Sequence, residues 1–334
     1  MSPNPGLFFE TINAFQRTQA LRAAIEIDLF SALANGPATA DTLAATCHAA
    51  ARGVRILADY LTILGFLTKS GDSYELTADS AMFLVRQSPA YLGGALQFLL
   101  TPALTDCFTS LTAAVQRGGT AVSDEGTVSE DNPIWVDFAK GMAPLMQLPA
   151  QLLVGLVGEN SPQSLRVLDV AAGHGIFGIT IAKHFPQADI TALDWKNVLQ
   201  VAHENAIRAG VQDRHHLLPG SAFDTDWGGP YDVVLLTNFF HHFDIPTCEQ
   251  IARRAYAALA PGGRAITLEF IPDASRISPP GAATFALTML ATTAHGDAYT
   301  FTEYEQLFAA AGFARSEFRP LPPTMQQAVI SYRS

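Results

Sequence analysis

The sequence is poor in cysteine, in positive charge and in long apolar runs. Only three cysteines occur in 334 residues, Cys47, Cys107 and Cys248. They are scattered, odd in number and in no metal-ligand spacing, which argues against a disulfide framework or a zinc site. The expectation is reduced, buried thiols, a cytoplasmic location and no metal. No window approaches ~18 consecutive apolar residues, so no membrane span is expected. The first residues, MSPNPGLFFETINAFQ, lack a basic region followed by an apolar one and do not read as a signal peptide. Lys and Arg number 20 against 31 Asp and Glu, a net charge of -11. That balance disfavours nucleic acid and anionic membrane as partners. Charged residues make up 15% and hydrophobic ones 49%. This composition suits large cores and an extensive subunit interface. There is no internal repeat and no low-complexity tract.

The chain divides by rhythm into three parts, residues 1–100, 101–160 and 161–334. The first ~85 residues read as helix-rich. Leu7 to Phe30 carries Phe8, Ile12, Phe15, Leu21, Ile25 and Leu29 at helical spacing, which predicts one long helix. Thr39 to Asp41 offers a cap to a short helix, Thr42 to Cys47, and a second helix, Ala51 to Leu64, stops at Gly65. Two short runs, Phe66 to Lys69 and Tyr74 to Thr77, flank a turn. Helix, helix and hairpin in this order look like a winged helix. A nucleic-acid role for it is disfavoured, because residues 1–85 hold five Lys/Arg against eight Asp/Glu. Residues from Pro89 to Gly158 are mostly helical, interrupted by a polar, Gly-rich stretch, Arg117 to Asn132. From Ser164 apolar runs alternate with helical patterns: Arg166–Val170, Asp189–Asp194, His215–Leu218, Tyr231–Asn238, Gly263–Ile271 and Gln327–Tyr332. The expected fold is therefore α/β: a C-terminal Rossmann-like domain, preceded by a mainly helical N-terminal one.

One loop carries most of the chemistry. A strand ending at Val170 runs into Ala171-Ala172-Gly173-His174-Gly175, and a helix follows. Glycines at such a turn let backbone approach a ligand and present free amides. The next strand ends in Asp194, placed to accept hydrogen bonds from both hydroxyls of a ribose. Gly173, Gly175 and Gly178 also satisfy the dinucleotide spacing G-x-G-x-x-G, the rival reading. Against it stands Asp169, four residues before Gly173. A carboxylate suits the ammonium of a methionine moiety better than a pyrophosphate. The pattern D-x-x-x-G-x-G favours S-adenosylmethionine.

With these residues the whole chain resembles the small-molecule O-methyltransferases, a family including caffeic acid, isoflavone and hydroxyindole O-methyltransferases and many bacterial relatives. It is most similar to the bacterial branch. The resemblance implies a mostly parallel seven-stranded sheet closed by an antiparallel strand, and a homodimer formed by the N-terminal winged helix. It implies cofactor contacts from Asp169, Ala171, Gly173, Gly175, Asp194 and Trp195, from Ser221, Ala222 and Phe223 near the adenine, and from Asn238 where the family has a lysine. It places Phe138, Met142, Phe285 and Met289 around a small-molecule acceptor. The family base aligns with His241, with His242 in reserve, and Glu269 matches the first of two flanking glutamates. An imidazole titrates near ~6.5 and suits proton removal from a phenol near ~10. The second glutamate is replaced by Ala298, beside Asp297. This departure keeps open carbon methylation, or a non-methylating use of the cofactor in hydroxylation or decarboxylation. A winged-helix DNA-binding regulator is the remote third reading.

Overall fold

The computed structural model describes residues 3–123, 134–158 and 164–334. The stretch Arg117–Asn132 therefore lies partly outside the described residues. The chain divides into two compact units, Met1–Leu96 and Gln97–Ser334.

In the first unit the expected long helix is three helices, Gly6–Ile12, Ala14–Glu26 and Leu29–Ala32. The final break falls at Asp28, whose φ of 58° is left-handed, a conformation that Asp adopts more readily than most residues. Arg86 holds this corner: its Nε donates to Asp28 Oδ1 at 2.9 Å and its Nη2 to the Ile25 carbonyl at 3.1 Å. The apolar stripe divides at the same time. Ile25, Leu29 and Phe30 enter the unit's core, whereas Phe8, Ile12 and Phe15 are 50–64% exposed. Downstream, Thr39 caps helix Ala40–Thr46 by accepting from the Thr42 amide. Helix Ala51–Ile63 ends at Gly65, whose φ is 87°. A three-stranded sheet follows from β1 (Ala38–Thr39), β2 (Leu67–Ser70) and β3 (Ser73–Leu76) in the order β1-β3-β2. Asp59 ties helix to hairpin by accepting from Arg55, Lys69 and Tyr74. These donors hold its carboxyl below the usual range.

The second unit is built on seven strands: β4 (Arg166–Val170), β5 (Asp189–Asp194), β6 (His215–Pro219), β7 (Tyr231–Thr237), β8 (Leu259–Glu269), β9 (Arg315–Pro320) and β10 (Gln327–Tyr332). Their order is β6-β5-β4-β7-β8-β10-β9. The first five are parallel, and β10 runs antiparallel to both β8 and β9. Strand β9 escaped the sequence reading because RSEFRP has no apolar run; it is an edge strand. Alternate residues of each central strand face opposite cores. Val167 packs with Phe177, Ile179 and Leu153 on one side, and Leu168 and Val170 with Ile251, Phe240 and Phe308 on the other. The chain leaves β4 toward β5 on one side and reaches β7 on the other. The strand order thus reverses between β4 and β7. In an open α/β sheet, the crevice at that reversal, outside the carboxyl ends of the strands, is where ligands bind.

Candidate active site

A cavity opens at those carboxyl ends. Its wall comes from the loops after β4, β5, β6, β7 and β8, from helices Ile134–Met142 and Phe285–Thr292, and from Gln326 just before β10. The described residues on it are mostly apolar and aromatic, with a few polar groups set among them.

On one side stands the glycine loop. Ala171, Gly173 and Gly175 all have positive φ, at 53°, 56° and 72°. Gly173 needs its freedom for the ligand side: a Cβ there would meet no protein atom nearer than the Ala171 carbonyl at 3.9 Å. Ala171 pays for the same conformation with strain of order ~1 kcal/mol, since it has a Cβ. Asp194 reaches back from β5 to hold the loop. Its Oδ2 accepts from the Gly173 amide at 2.7 Å and its Oδ1 from the Trp195 amide at 2.6 Å. Burial pushes the Asp194 carboxyl up to about 6. A carboxylate has about four acceptor positions, so each oxygen keeps a lone pair for a further donor. A ribose diol supplies two such donors, and the residues present fit S-adenosylmethionine in that respect. Ser221, Ala222, Phe223 and Trp195 share this wall. Ser221 Oγ accepts from the Phe223 amide, and Phe223 packs edge-on to Phe243.

Asp169 departs from its expected role. It is fully buried in β4 and does not reach the cavity wall. Its Oδ2 accepts from the amide of Gly178 at 3.1 Å, in the first turn of helix Ile176–His184. It therefore stands in for a helix cap, because side chains in β4 alternate and Asp169 faces that helix rather than the crevice. Burial, with the nearby charge of Asp194, raises its carboxyl to about 7. His174 is a wall residue that sequence reasoning passed over. Its Nδ1 accepts from the Ile176 amide at 3.1 Å, and its carbonyl accepts from Asn205. Burial depresses its imidazole to about 4, so the ring is a neutral acceptor.

On the other side stands His241, buried at the cavity wall. Its Nδ1 lies 2.6 Å from Glu269 Oε2. Glu269 Oε1 accepts from the amides of Phe239 and Phe240 at 2.8 and 2.9 Å. One carboxylate at the end of β8 thus fixes the turn after β7 and orients its imidazole. Among the described residues His242 has no carboxylate partner; its ring packs edge-on to Trp135 at 5.2 Å. Burial and the neighbouring His241 depress it well below the usual histidine range. Phe285 approaches His241 edge-on at 4.9 Å and stacks on Phe270 at 3.9 Å. Phe138 and Met142, from helix Ile134–Met142, line the cavity. Met289 does not: it is one turn beyond Phe285, buried at 4% exposure and outside the wall. Asp297 faces away, ion-paired to Arg276 at 3.4 Å, and Ala298 is buried. Among the described residues, His241 therefore has one carboxylate partner, Glu269.

The sequence model of the O-methyltransferase domain matches residues 110–314, and that of the O-methyltransferase dimerisation domain matches residues 9–86. The 3-hydroxy-5-methyl-1-naphthoate 3-O-methyltransferase of Streptomyces sahachiroi is 29% identical over 310 residues, 92% of this chain and 89% of that protein. Acetylserotonin O-methyltransferase of Mus musculus is 26% identical, over 92% of this chain and 83% of its own. A crystal structure from Nostoc punctiforme, assigned provisionally as an O-methyltransferase, is 51% identical, with full coverage of both chains and a TM-score of 0.95. Human N-acetylserotonin methyltransferase, solved with S-adenosylmethionine, shares the fold at 22% identity, with 100% and 99% coverage and a TM-score of 0.86. The chain belongs to the O-methyltransferase family, and its methyl donor is S-adenosylmethionine.

Proposed function

We propose that this enzyme methylates a hydroxyl of a small aromatic acceptor, with His241 as general base and Glu269 as its orienting partner. The observation that carries the reading is the buried contact of His241 Nδ1 with Glu269 Oε2, 2.6 Å long, at the wall of an aromatic cavity. Bound S-adenosylmethionine supplies an electrophilic methyl group. Asp194 and the Gly173 loop would hold its ribose, with Ser221, Ala222 and Phe223 beside the adenine.

The protein's own residues do the remaining work. Glu269, anchored by two amides, keeps the Nδ1 proton of His241 on its own side. The Nε2 lone pair is then free to take the acceptor's hydroxyl proton as the methyl transfers. Burial and the neighbouring His241 make His242 too weak a base to compete for that proton. The paired rings of Phe270 and Phe285 offer a flat apolar surface beside His241, which suits an aromatic acceptor. The names of the hydroxynaphthoate and acetylserotonin relatives agree with that class. The test is incubation with S-adenosylmethionine and a panel of phenols. S-Adenosylhomocysteine and an O-methyl ether are the expected products; a methylated ring carbon would select carbon methylation instead.

The first unit we assign to self-association. Leu7, Phe8, Phe9, Ile12 and Phe15 are at least half exposed along two successive helices. An apolar patch of this kind marks an interface. Its helix, helix and hairpin follow the winged-helix order, but Arg55 and Lys69 are committed to Asp59, which suits self-association better than phosphate binding.

A further inference from the structure

The cavity wall contains a pair of amides, one of them Asn238, expected from the resemblance to contact the cofactor, whose donors are poorly used. Asn238 follows β7 with φ of 52°, and Gln326 precedes β10. Gln326 Nε2 donates to Asn238 Oδ1 at 3.2 Å. The remaining partner of both amides is the thioether of Met146, 3.5 Å from Asn238 Nδ2 and 3.7 Å from Gln326 Nε2. A thioether is a weak acceptor. Gln326 is only 4% exposed, and buried N–H groups in proteins ordinarily find a full-strength partner. Asn238, Gln326 and Met146 all line the cavity, so a bound ligand's oxygen can be that partner.

The same wall lacks positive charge. Among the described residues no Lys or Arg lines it. Residues 124–133 and 159–163, outside the description, contain neither. His242 is kept neutral by burial and by His241. The carboxyl of Asp194 is also on this wall. An acceptor carboxylate brought beside the amide pair would lose its hydration without gaining a Lys or Arg partner, which is costly.

We propose that the Asn238–Gln326 amide pair selects the acceptor: it donates to an uncharged carbonyl or hydroxyl oxygen, remote from the reacting hydroxyl, and acceptors bearing a carboxylate are rejected. This rests on the reading of the cavity as the site of methyl transfer. It deepens that reading by naming an uncharged, oxygen-bearing phenol as the substrate class. The pair acts through binding, and so its effect falls on acceptor affinity rather than on the chemical step.

The experiment is calorimetry on protein loaded with S-adenosylhomocysteine, titrated with three matched ligands: naphthol, a hydroxynaphthalene carboxamide and the corresponding hydroxynaphthoate. The expected order places the carboxamide at least tenfold tighter than the carboxylate. Gln326→Met keeps the shape and removes the donor. It should cost the carboxamide about tenfold and naphthol under threefold, while S-adenosylhomocysteine affinity stays within twofold and reports that the site is folded. Gln326→Lys should bring the carboxylate up to or above the carboxamide. The proposal is overturned if wild-type protein binds the carboxylate as tightly as the carboxamide, or binds none of the three. It is equally overturned if Gln326→Met weakens S-adenosylhomocysteine instead of the carboxamide, which would give the pair to the cofactor. Failure of methyl transfer itself registers separately, as no S-adenosylhomocysteine formed from S-adenosylmethionine with ligands that nevertheless bind.

Discussion

On the proposed reading His241 serves the acceptor and Asp194 the cofactor, and their substitutions should separate cleanly. His241→Ala removes a positioned base, worth typically ~10²–10⁴-fold in rate. Turnover on a verified acceptor should fall by that order, with cofactor affinity nearly unchanged. Glu269→Gln keeps the shape but weakens the bond at 2.6 Å, and should cost less. Full turnover in both His241→Ala and His242→Ala proteins would end the base assignment. For Asp194→Ala, cofactor binding should weaken by ~1.5–3 kcal/mol, the worth of hydrogen bonds to a charged acceptor. Equal binding by calorimetry would remove the ribose role. The pH dependence has a definite sign. Burial raises the Asp194 carboxyl to about 6, so the ligand-free fold favours its protonated form and loses that contribution as pH rises through about 6. The ribose hydroxyls need the ionised form as their acceptor. S-Adenosylmethionine should therefore bind more tightly at pH 8 than at pH 5, and Asp194→Asn should flatten that difference.

At the scale of elements, the turn after β7 carries the proposed base, and it is held from two directions. Glu269 at the tip of β8 holds its amides and imidazole. From the opposite side the segment around Gly296 packs against its backbone. Thr293 Oγ1 accepts from the Gly296 amide at 2.9 Å, and a Cβ built on Gly296 would overlap the His241 carbonyl oxygen and crowd the carbonyl carbon of His242. Backbone cannot swing aside as the end of a flexible side chain can. Gly296→Ala should displace the turn and lower kcat at least tenfold, because small misplacements of a catalytic group are costly. Cofactor affinity should hold, since Asp194 ends β5, across β4 from β7, and holds the glycine loop from there. Steady-state kinetics beside cofactor calorimetry checks this; unchanged kcat would show that the segment yields.

For the whole molecule, the first unit leaves too much apolar surface for its own core to cover. Ile25, Leu29 and Phe30 fill that core, while Leu7 is 77% exposed and Phe15 64%. Light scattering at micromolar concentration should give a dimer of the 35.7 kDa chain. Phe8→Ser with Phe15→Ser should shift it toward monomer. A species at monomer mass for the unsubstituted protein would refute the interface.

Local pattern was enough for much of this. The strands β4, β5, β7 and β10, the glycine loop and Asp194 follow from apolar runs and from glycines at a strand-to-helix turn, which are properties of neighbouring residues. His241 and Glu269 could be named from the resemblance, although 28 residues separate them. The long helix, Asp169, Met289 and Gln326 could not be settled this way. A left-handed Asp28 divides the stripe from Leu7 to Phe30, and Arg86, far along the chain, secures it. Asp169 and Met289 occur in the right segments but face helix and core, because which side of a strand or helix meets the crevice is decided by what packs on the other side. Gln326 lies 88 residues from Asn238 and 180 from Met146. Only the pairing of β10 with β8 brings it to the cavity, and side-chain orientation and long-range strand pairing are set by the packing of the whole sheet, not by adjacency in the chain.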